Sequence, residues 1–365
     1  MKKSVQSSLM AAALLLSFTS ISVNAQTVSP DTSRNARTQS FSGTVTYDGS
    51  GAGTGGSEGT YVGYNAGAVN TEAKNSFFGA YSGPVNTTGK LNTFAGAYSG
   101  FSNTTGSSNT FVGYHAGYTT TTGGFNTFIG NLSGKFNSTG FWNVFMGLQA
   151  GYNNTTGNSN LFLGNNAGFS NTTGESNVAL GINAGSGNVT GSNNIFIGTA
   201  AGSAETGSNK LYISNSNTPN PLIKGDFANS TLVFNGKVGV STSTFPTTVG
   251  TADVSAYKLF VKGGILTDEV RVRTGWADYV FQHGYKLKGI LEVEKYIQEN
   301  GHLPNVPSAK TVEEEGLSLG EIAKIQQEKI EELTLYLIEQ NKKLQDLQQQ
   351  FDEFKRATER PVEKK

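Results

Sequence analysis

The side chains that could act on a substrate are few and far apart. His115, His283 and His302 are isolated, with no Cys or second His at metal-ligand spacing, and each reads as a surface or packed imidazole. The chain has no Cys, which excludes a disulfide framework, a thiol nucleophile and a cysteine-ligated zinc or iron site. Between Gly59 and Gly207 the charged residues are Glu72, Lys74, Lys90, Lys135, Glu175 and Glu205, and no Asp occurs. That pattern excludes a calcium-binding roll with an Asp in every turn, and the paired carboxylates of glycoside hydrolysis. The Gly-rich turns lack the Lys-Ser/Thr of a phosphate loop, and Glu313-Glu-Glu315 reads as a solvated helix start. No enzyme, cofactor or metal site is expected. What does recur is hydroxyl and amide. Thr87-Thr88, Thr104-Thr105, Thr121-Thr122, Thr155-Thr156 and Thr172-Thr173 form rows that stacking would space ~4.8 Å apart. Such rows could recognise ice or a crystalline polysaccharide, although the same residues also make ordinary turns.

These residues belong to one seventeen-residue phrase, roughly Asn-Thr-Phe-Ile-Gly-x-x-Ala-Gly-x-x-Asn-Thr-Thr-Gly, written nine times between Gly59 and Gly207. Its anchor glycines are Gly63, Gly79, Gly96, Gly113, Gly130, Gly147, Gly164, Gly181 and Gly198, so that after a first step of sixteen every step is seventeen. So short a period predicts a parallel β-solenoid, or β-roll, whose units bury their apolar faces only by stacking. Four residues before the anchors stand Asn75, Asn92, Asn109, Asn126, Asn143, Asn160, Asn177 and Asn194. They are expected to form a ladder in which each amide bonds to those above and below.

A three-residue strand core follows each of these Asn residues. Its middle row is Phe77, Phe94, Phe111, Phe128, Phe145, Phe162, Ala179 and Phe196, and its flanking row ends in Val112, Ile129, Met146, Leu163, Leu180 and Ile197. A strand apolar on both faces needs cover on both, and a roll of seventeen residues encloses only one. The open face is therefore expected to meet something else; a wider coil burying both rows in one chain is the alternative. The second glycine, as in Ala116-Gly117, suits a corner too tight for a Cβ. The Asn-Thr-Thr-Gly stretch reads as a turn, with Asn and Thr bonded to local backbone and Gly at positive φ. The sequons at Asn86, Asn103 and Asn171 read as part of those turns.

The rest of the chain is unlike the array. Gly makes up 47 of 365 residues, nearly twice the usual ~7 %, and the charged fraction is 15 % against the usual ~25 %. A formal charge of zero gives no electrostatic reason to expect nucleic acid as a partner. Residues 1–25 read as a signal peptide: Lys2 and Lys3, an apolar Met10 to Phe18, and Val23-Asn24-Ala25 before Gln26. An exported protein follows, extracellular or at the cell surface, with a periplasmic location also open and no later transmembrane segment. Residues 26–58 read as a flexible leader, 59–209 as the solenoid, and 210–273 as a short-strand β shoulder. Residues 274–318 read as a small α/β domain with a helix from Leu291 to Glu299.

From Leu319 a helix runs with Leu319, Gln326, Leu333, Gln340, Leu347 and Phe354 at d and Ala323, Ile330, Leu337, Leu344 and Phe351 at a. That seam predicts a coiled coil over 319–358. Ile330, Leu333, Leu337, Gln340, Leu344, Leu347 and Phe351 are its expected oligomerisation residues. Glu328, Lys329, Glu331, Glu332, Lys342 and Lys343 are expected on the solvated flanks, and a single amphipathic helix lying on the chain's own core is the alternative. Residues 359–365 read as a disordered tail.

Asn177-Val-Ala-Leu-Gly181 followed by Asn183-Ala-Gly185 resembles the head repeat of trimeric autotransporter adhesins, whose heads are parallel β-rolls packed as trimers. Lys237-Val-Gly-Val-Ser241 and Lys258-Leu-Phe-Val-Lys-Gly-Gly264 look like strands of phage tail-fibre-like surface proteins. Residues 276–340 are similar to the tail domain of fibre-like proteins, distantly akin to the self-cleaving intramolecular chaperone of phage tail spikes. That family starts its domain with Ser-Asp, whereas Gly275-Trp-Ala-Asp278 has no Ser, which puts self-cleavage in doubt. These resemblances imply a homotrimeric, fibrous structural or adhesive protein whose further partner is a glycan or a surface protein. A hydroxyl-row binder and a self-processing tail are the other two readings.

Overall fold

The computed structural model describes residues 45–53 and 58–358. The expected signal peptide, most of the expected leader and the 359–365 tail lie outside them. The described chain divides into two units, one up to Asn235 and one from Gly236.

The first unit is a β-solenoid. Strands β1 (Val45–Asp48) and β2 (Gly59–Val62) are followed by three-residue strands β3 (Ser76–Phe78), β4 (Thr93–Ala95), β5 (Thr110–Val112), β6 (Thr127–Ile129) and β7 (Val144–Met146). Then come β8 (Leu161–Leu163), β9 (Val178–Leu180), β10 (Ile195–Ile197) and β11 (Lys210–Ile213). Each pairs parallel with the next, in a register that sets Phe94 beside Phe111 and Phe111 beside Phe128. The parallel sheet therefore begins with β1, inside the stretch expected to be a flexible leader, and continues through β11 into the expected shoulder. Two antiparallel strands, β12 (Ile223–Asp226) and β13 (Thr231–Phe234), close its far end.

The strand alternation decides between the two coils. The middle Phe row is fully buried, and from Phe77 to Phe162 its rings stack with centroids 4.7–4.9 Å apart and planes within 7°. The flanking row stays open, with Phe78, Val112, Met146 and Ile197 exposed by 36–43 %. One face is enclosed and the other is not, so the coil that buries both rows is ruled out. The corners are narrow for the expected reason. At Gly134, with φ +56°, a Cβ would lie 2.6 Å from the Phe128 ring; at Gly130, with φ +137°, it would lie 2.4 Å from the carbonyl oxygen of Gly147. Outside the strands the backbone also bonds from rung to rung, as in Phe136 N–H to Tyr152 O and Gly134 N–H to Ala150 O.

Both ends of the buried column turn polar. At one end Tyr61 replaces Phe, and Asn70 Nδ2 donates to its hydroxyl at 2.5 Å. At the other, Tyr212 packs edge-on against Phe196 and donates to Glu205 Oε2 at 2.8 Å, while Glu205 Oε1 takes the Gly207 N–H. Burial would raise the Glu205 carboxyl, but these donors outweigh it and hold it below its ordinary value. Lys210 Nζ meets Asp226 Oδ2 at 2.7 Å across the closing hairpin.

In the second unit β14 (Val238–Val240) pairs parallel with β17 (Leu259–Val261), and β15 (Thr248–Val249) antiparallel with β16 (Ala252–Asp253). A 3-10 turn (Asp278–Phe281) precedes α1 (Ile290–Asn300), which ends at Gly301 in the left-handed region. Helix α2 (Ala309–Glu315) is capped by Ser308, whose Oγ accepts from the Thr311 N–H at 3.1 Å. Helix α3 (Leu319–Thr358) is one uninterrupted element of 40 residues.

Candidate functional surfaces: amide ladders, corner rings and an open seam

The eight Asn residues of the expected ladder are buried and stand one above another, but their bonding differs from the expectation. Each Oδ1 accepts the backbone N–H of the corresponding residue one rung on, as in Asn92 N–H to Asn75 Oδ1 and Asn143 N–H to Asn126 Oδ1, both 2.9 Å. Each Nδ2 donates to the carbonyl of the glycine closing its own turn, as in Asn126 to Gly140 and Asn143 to Gly157, both 2.8 Å. Direct amide-to-amide bonds join Asn126 to Asn109, Asn160 to Asn143 and Asn177 to Asn160. The row ties strand to turn more than side chain to side chain.

A second ladder was hidden in the Asn-Thr-Thr-Gly turn. Asn70, Asn86, Asn103, Asn137, Asn154, Asn171 and Asn188 are all buried. Here amide meets amide: Asn103 Nδ2 donates to Asn86 Oδ1 and Asn154 Nδ2 to Asn137 Oδ1, both at 2.6 Å, and Asn86 Nδ2 reaches Asn70 Oδ1. The local bond that suggested a turn also exists, for example Asn154 Nδ2 to Gly157 O at 3.0 Å. The sequon residues Asn86, Asn103 and Asn171 are thus enclosed amides. The closing glycines do not take the expected positive φ. A Cβ at Gly140 would instead strike Asn137 Oδ1 at 2.3 Å. The left-handed positions are instead the corner glycines such as Gly134 and non-glycine residues such as Leu132, Trp142, Gln149 and Ser159.

The hydroxyl rows are divided in use. The first Thr of each pair donates to the next rung, as Thr87 Oγ1 to Thr104 O and Thr155 Oγ1 to Thr172 O, both 3.0 Å. The second, at Thr88, Thr105, Thr122, Thr139, Thr156, Thr173 and Thr190, is exposed. One outward row remains of the expected pair.

Aromatic side chains line one corner. Tyr81 stacks on Tyr98 at 5.1 Å, Phe101 on Tyr118 at 5.0 Å, and Tyr152 on Phe169 at 5.1 Å. His115 lies among Tyr98, Tyr114 and Tyr118, where partial burial and then the Lys135 charge push its pKa down. His283 is exposed, and His302 Nδ1 lies 3.0 Å from Leu303 O. Among the described residues no group of three or more His, Cys, Asp or Glu is arranged to hold a metal ion.

On α3 the seam residues Ile330, Leu333, Leu337, Leu344, Leu347 and Phe351 are exposed by 57–63 %, and Gln340 is exposed with them. The opposite face of the helix corrects the sequence expectation. Glu328 and Glu331 are buried rather than solvated, and Lys329 and Glu332 are mostly covered. Residues 279–305 lie against this face: Tyr279 donates to Glu328, Tyr285 to Glu332, and Asn305 Nδ2 to Glu328 Oε1 at 3.2 Å. Lys329 Nζ bridges Glu328 and Glu332 at 2.9 and 2.8 Å. These donors outweigh the burial that would raise Glu328 and hold its pKa low, while Tyr279 is pushed up to about 12, chiefly by its bond to Glu328. Beside α1, Ile290, Val293, Ile297 and Leu303 with Ile330 and Leu333 of α3 line an open apolar groove of about 610 Å³.

Comparison of the chain with family models, with curated proteins and with solved structures finds no match. Among the described residues no helix is long and apolar enough to cross a membrane.

Proposed function

We propose that this is an exported fibrous protein with a structural or adhesive role, a homotrimer whose β-solenoid shafts are joined through a coiled coil of α3. It works by binding rather than by catalysis. The observation that carries this reading is the sidedness of α3. Glu328 and Glu332, at f and c, are bonded by the chain's own residues 279–305, whereas the seam residues Ile330, Leu333, Leu337, Leu344, Leu347 and Phe351 are left exposed. A helix covered in part on one face, with apolar seam residues and Gln340 exposed along the other, is suited to pairing with copies of itself. The open flanking row of the solenoid strands is a second aliphatic surface of the same kind, and the resemblance to trimeric adhesin heads and fibre tails supports the number three. Sedimentation equilibrium of residues 26–365 tests it: three times the chain mass is expected, and a monomer at micromolar concentration overturns it. N-terminal sequencing of the chain recovered outside expressing cells should begin at Gln26, and an intact Met1 there would remove the export reading.

A further inference from the structure

The residue just before each buried Asn of the first ladder lies in the left-handed region whatever its type: Lys74, Leu91, Ser108, Phe125, Trp142, Ser159, Ser176 and Asn193. Small polar residues tolerate that conformation, and bulky ones adopt it at a cost. Two consecutive rungs nevertheless place large rings there, Phe125 at φ 57° and Trp142 at φ 56°, exposed by 56 % and 61 %. The rings lie side by side, with centroids 6.2 Å apart and planes at 24°. Phe141 joins Trp142 at 5.9 Å. It sits over Gly124, where a Cβ would approach the Phe141 ring to 3.3 Å. These two positions differ from rung to rung, and among the pairs from Lys90-Leu91 to Ser192-Asn193 aromatic residues occur at them only as Phe125, Phe141 and Trp142.

We propose that Phe125, Phe141 and Trp142 form a platform for a neutral saccharide. The exposed Phe125 and Trp142 rings, with Phe141 half-buried and tilted 49° beside Trp142, offer apolar surface to the C–H face of a pyranose. Its hydroxyls need polar neighbours at the rim. Thr122 and Thr139 are exposed three residues before Phe125 and Trp142, and Asn158, whose Oδ1 takes the Phe141 N–H at 2.8 Å, is held in turn by Glu175 at 2.9 Å. Charge selects against an anionic ligand, because the one cation between Gly123 and Met146 is Lys135, whose Nζ lies over Phe136 and Tyr152. Position selects against a second copy of the chain, since a contact between aligned arrays would draw on a row present in every rung, as the aliphatic row is.

The platform deepens the adhesive reading and rests on it, but the two fail separately: a monomer would overturn the trimer and leave the platform measurable. The test is calorimetric titration of the mature chain with neutral gluco-, galacto-, manno- and N-acetylhexosamine oligosaccharides, for wild type and for Trp142→Ser, the residue found in neighbouring rungs. At least one oligosaccharide should bind saturably and change the share of tryptophan emission contributed by Trp142, a change absent in Trp142→Ser, which keeps Trp276, with affinity falling ~10-fold or more in the variant. The melting temperature of Trp142→Ser should hold or rise as the left-handed strain is relieved. Absence of binding by every member of the panel overturns the proposal, as does equal affinity in the variant. Loss of sedimenting mass in Trp142→Ser would also overturn it and assign the patch to self-contact.

Discussion

Thr120 stands where the second ladder elsewhere carries Asn. It is buried, its hydroxyl has no hydrogen-bond partner, and neither does Oδ1 of Asn103 one rung before it. An amide there would reach both neighbours: its Nδ2 could donate to Asn103 Oδ1, and its Oδ1 could accept from Asn137 Nδ2. Thr120→Asn should therefore stabilise the solenoid by about 1–2 kcal/mol, read as a higher denaturation midpoint of residues 26–365. An unchanged midpoint would mean that the gap is already satisfied by water. The converse, Asn154→Ala, strands Asn137 Oδ1 and removes the acceptor used by Asn171, and should cost about 2–3 kcal/mol. These two cases also show where sequence reasoning stops at this scale. The first Asn row is visible because it keeps a fixed phase before an obvious strand. The second carries a genuine local bond to its closing glycine, so it looks like a turn, and only the neighbouring rung reveals it as a buried ladder. The positive φ expected at those glycines belongs instead to positions whose side chains vary freely and so leave no signal.

At the scale of the element, α3 illustrates the same division. Its length and heptad seam follow from local periodicity. The covering of Glu328 and Glu332 does not, because it requires residues 279–305 to fold back across the helix, a contact between segments some fifty positions apart, as Tyr279 and Glu328 are. Those contacts carry a pH signature. The raised Tyr279 pKa means that its contribution is fully present below the ordinary phenol value of ~10 and fades as pH rises through about 12. The depressed Glu328 pKa means that its contribution is present above the ordinary carboxyl value of ~4.3 and fades as pH falls through the lowered one. Stability of the second unit should accordingly be flat between these limits. Tyr279→Phe should lower that plateau by about 1 kcal/mol and weaken its alkaline decline, measured as melting temperature against pH. A variant whose alkaline limb matches wild type would show that Tyr279 is not the responsible group.

For the molecule as a whole, the seam and the rung register set what can vary. Leu337→Glu combined with Leu344→Glu places like charges in consecutive a layers and should reduce the sedimenting mass to that of one chain, while the circular dichroism of the solenoid persists. In the proposed coiled coil, Gln340→Leu should raise the concentration-dependent melting temperature and broaden the distribution of strand numbers, because a polar layer of the seam would be lost. The register has a different consequence. Phe111 lies beside Phe128 as Phe128 lies beside Phe145, and each rung offers the next the same carbonyls and amides. The buried aromatic column gains polar partners at Tyr61 with Asn70 and at Tyr212 with Glu205. The array is thus a counted stack, and removal of 126–142 joins Phe125 to Asn143 in phase and should yield a folded protein shorter by one spacing of ~4.8 Å. Recombination between copies can lengthen or shorten such a gene without any new contact having to be invented, so reach becomes a trait adjusted in whole steps.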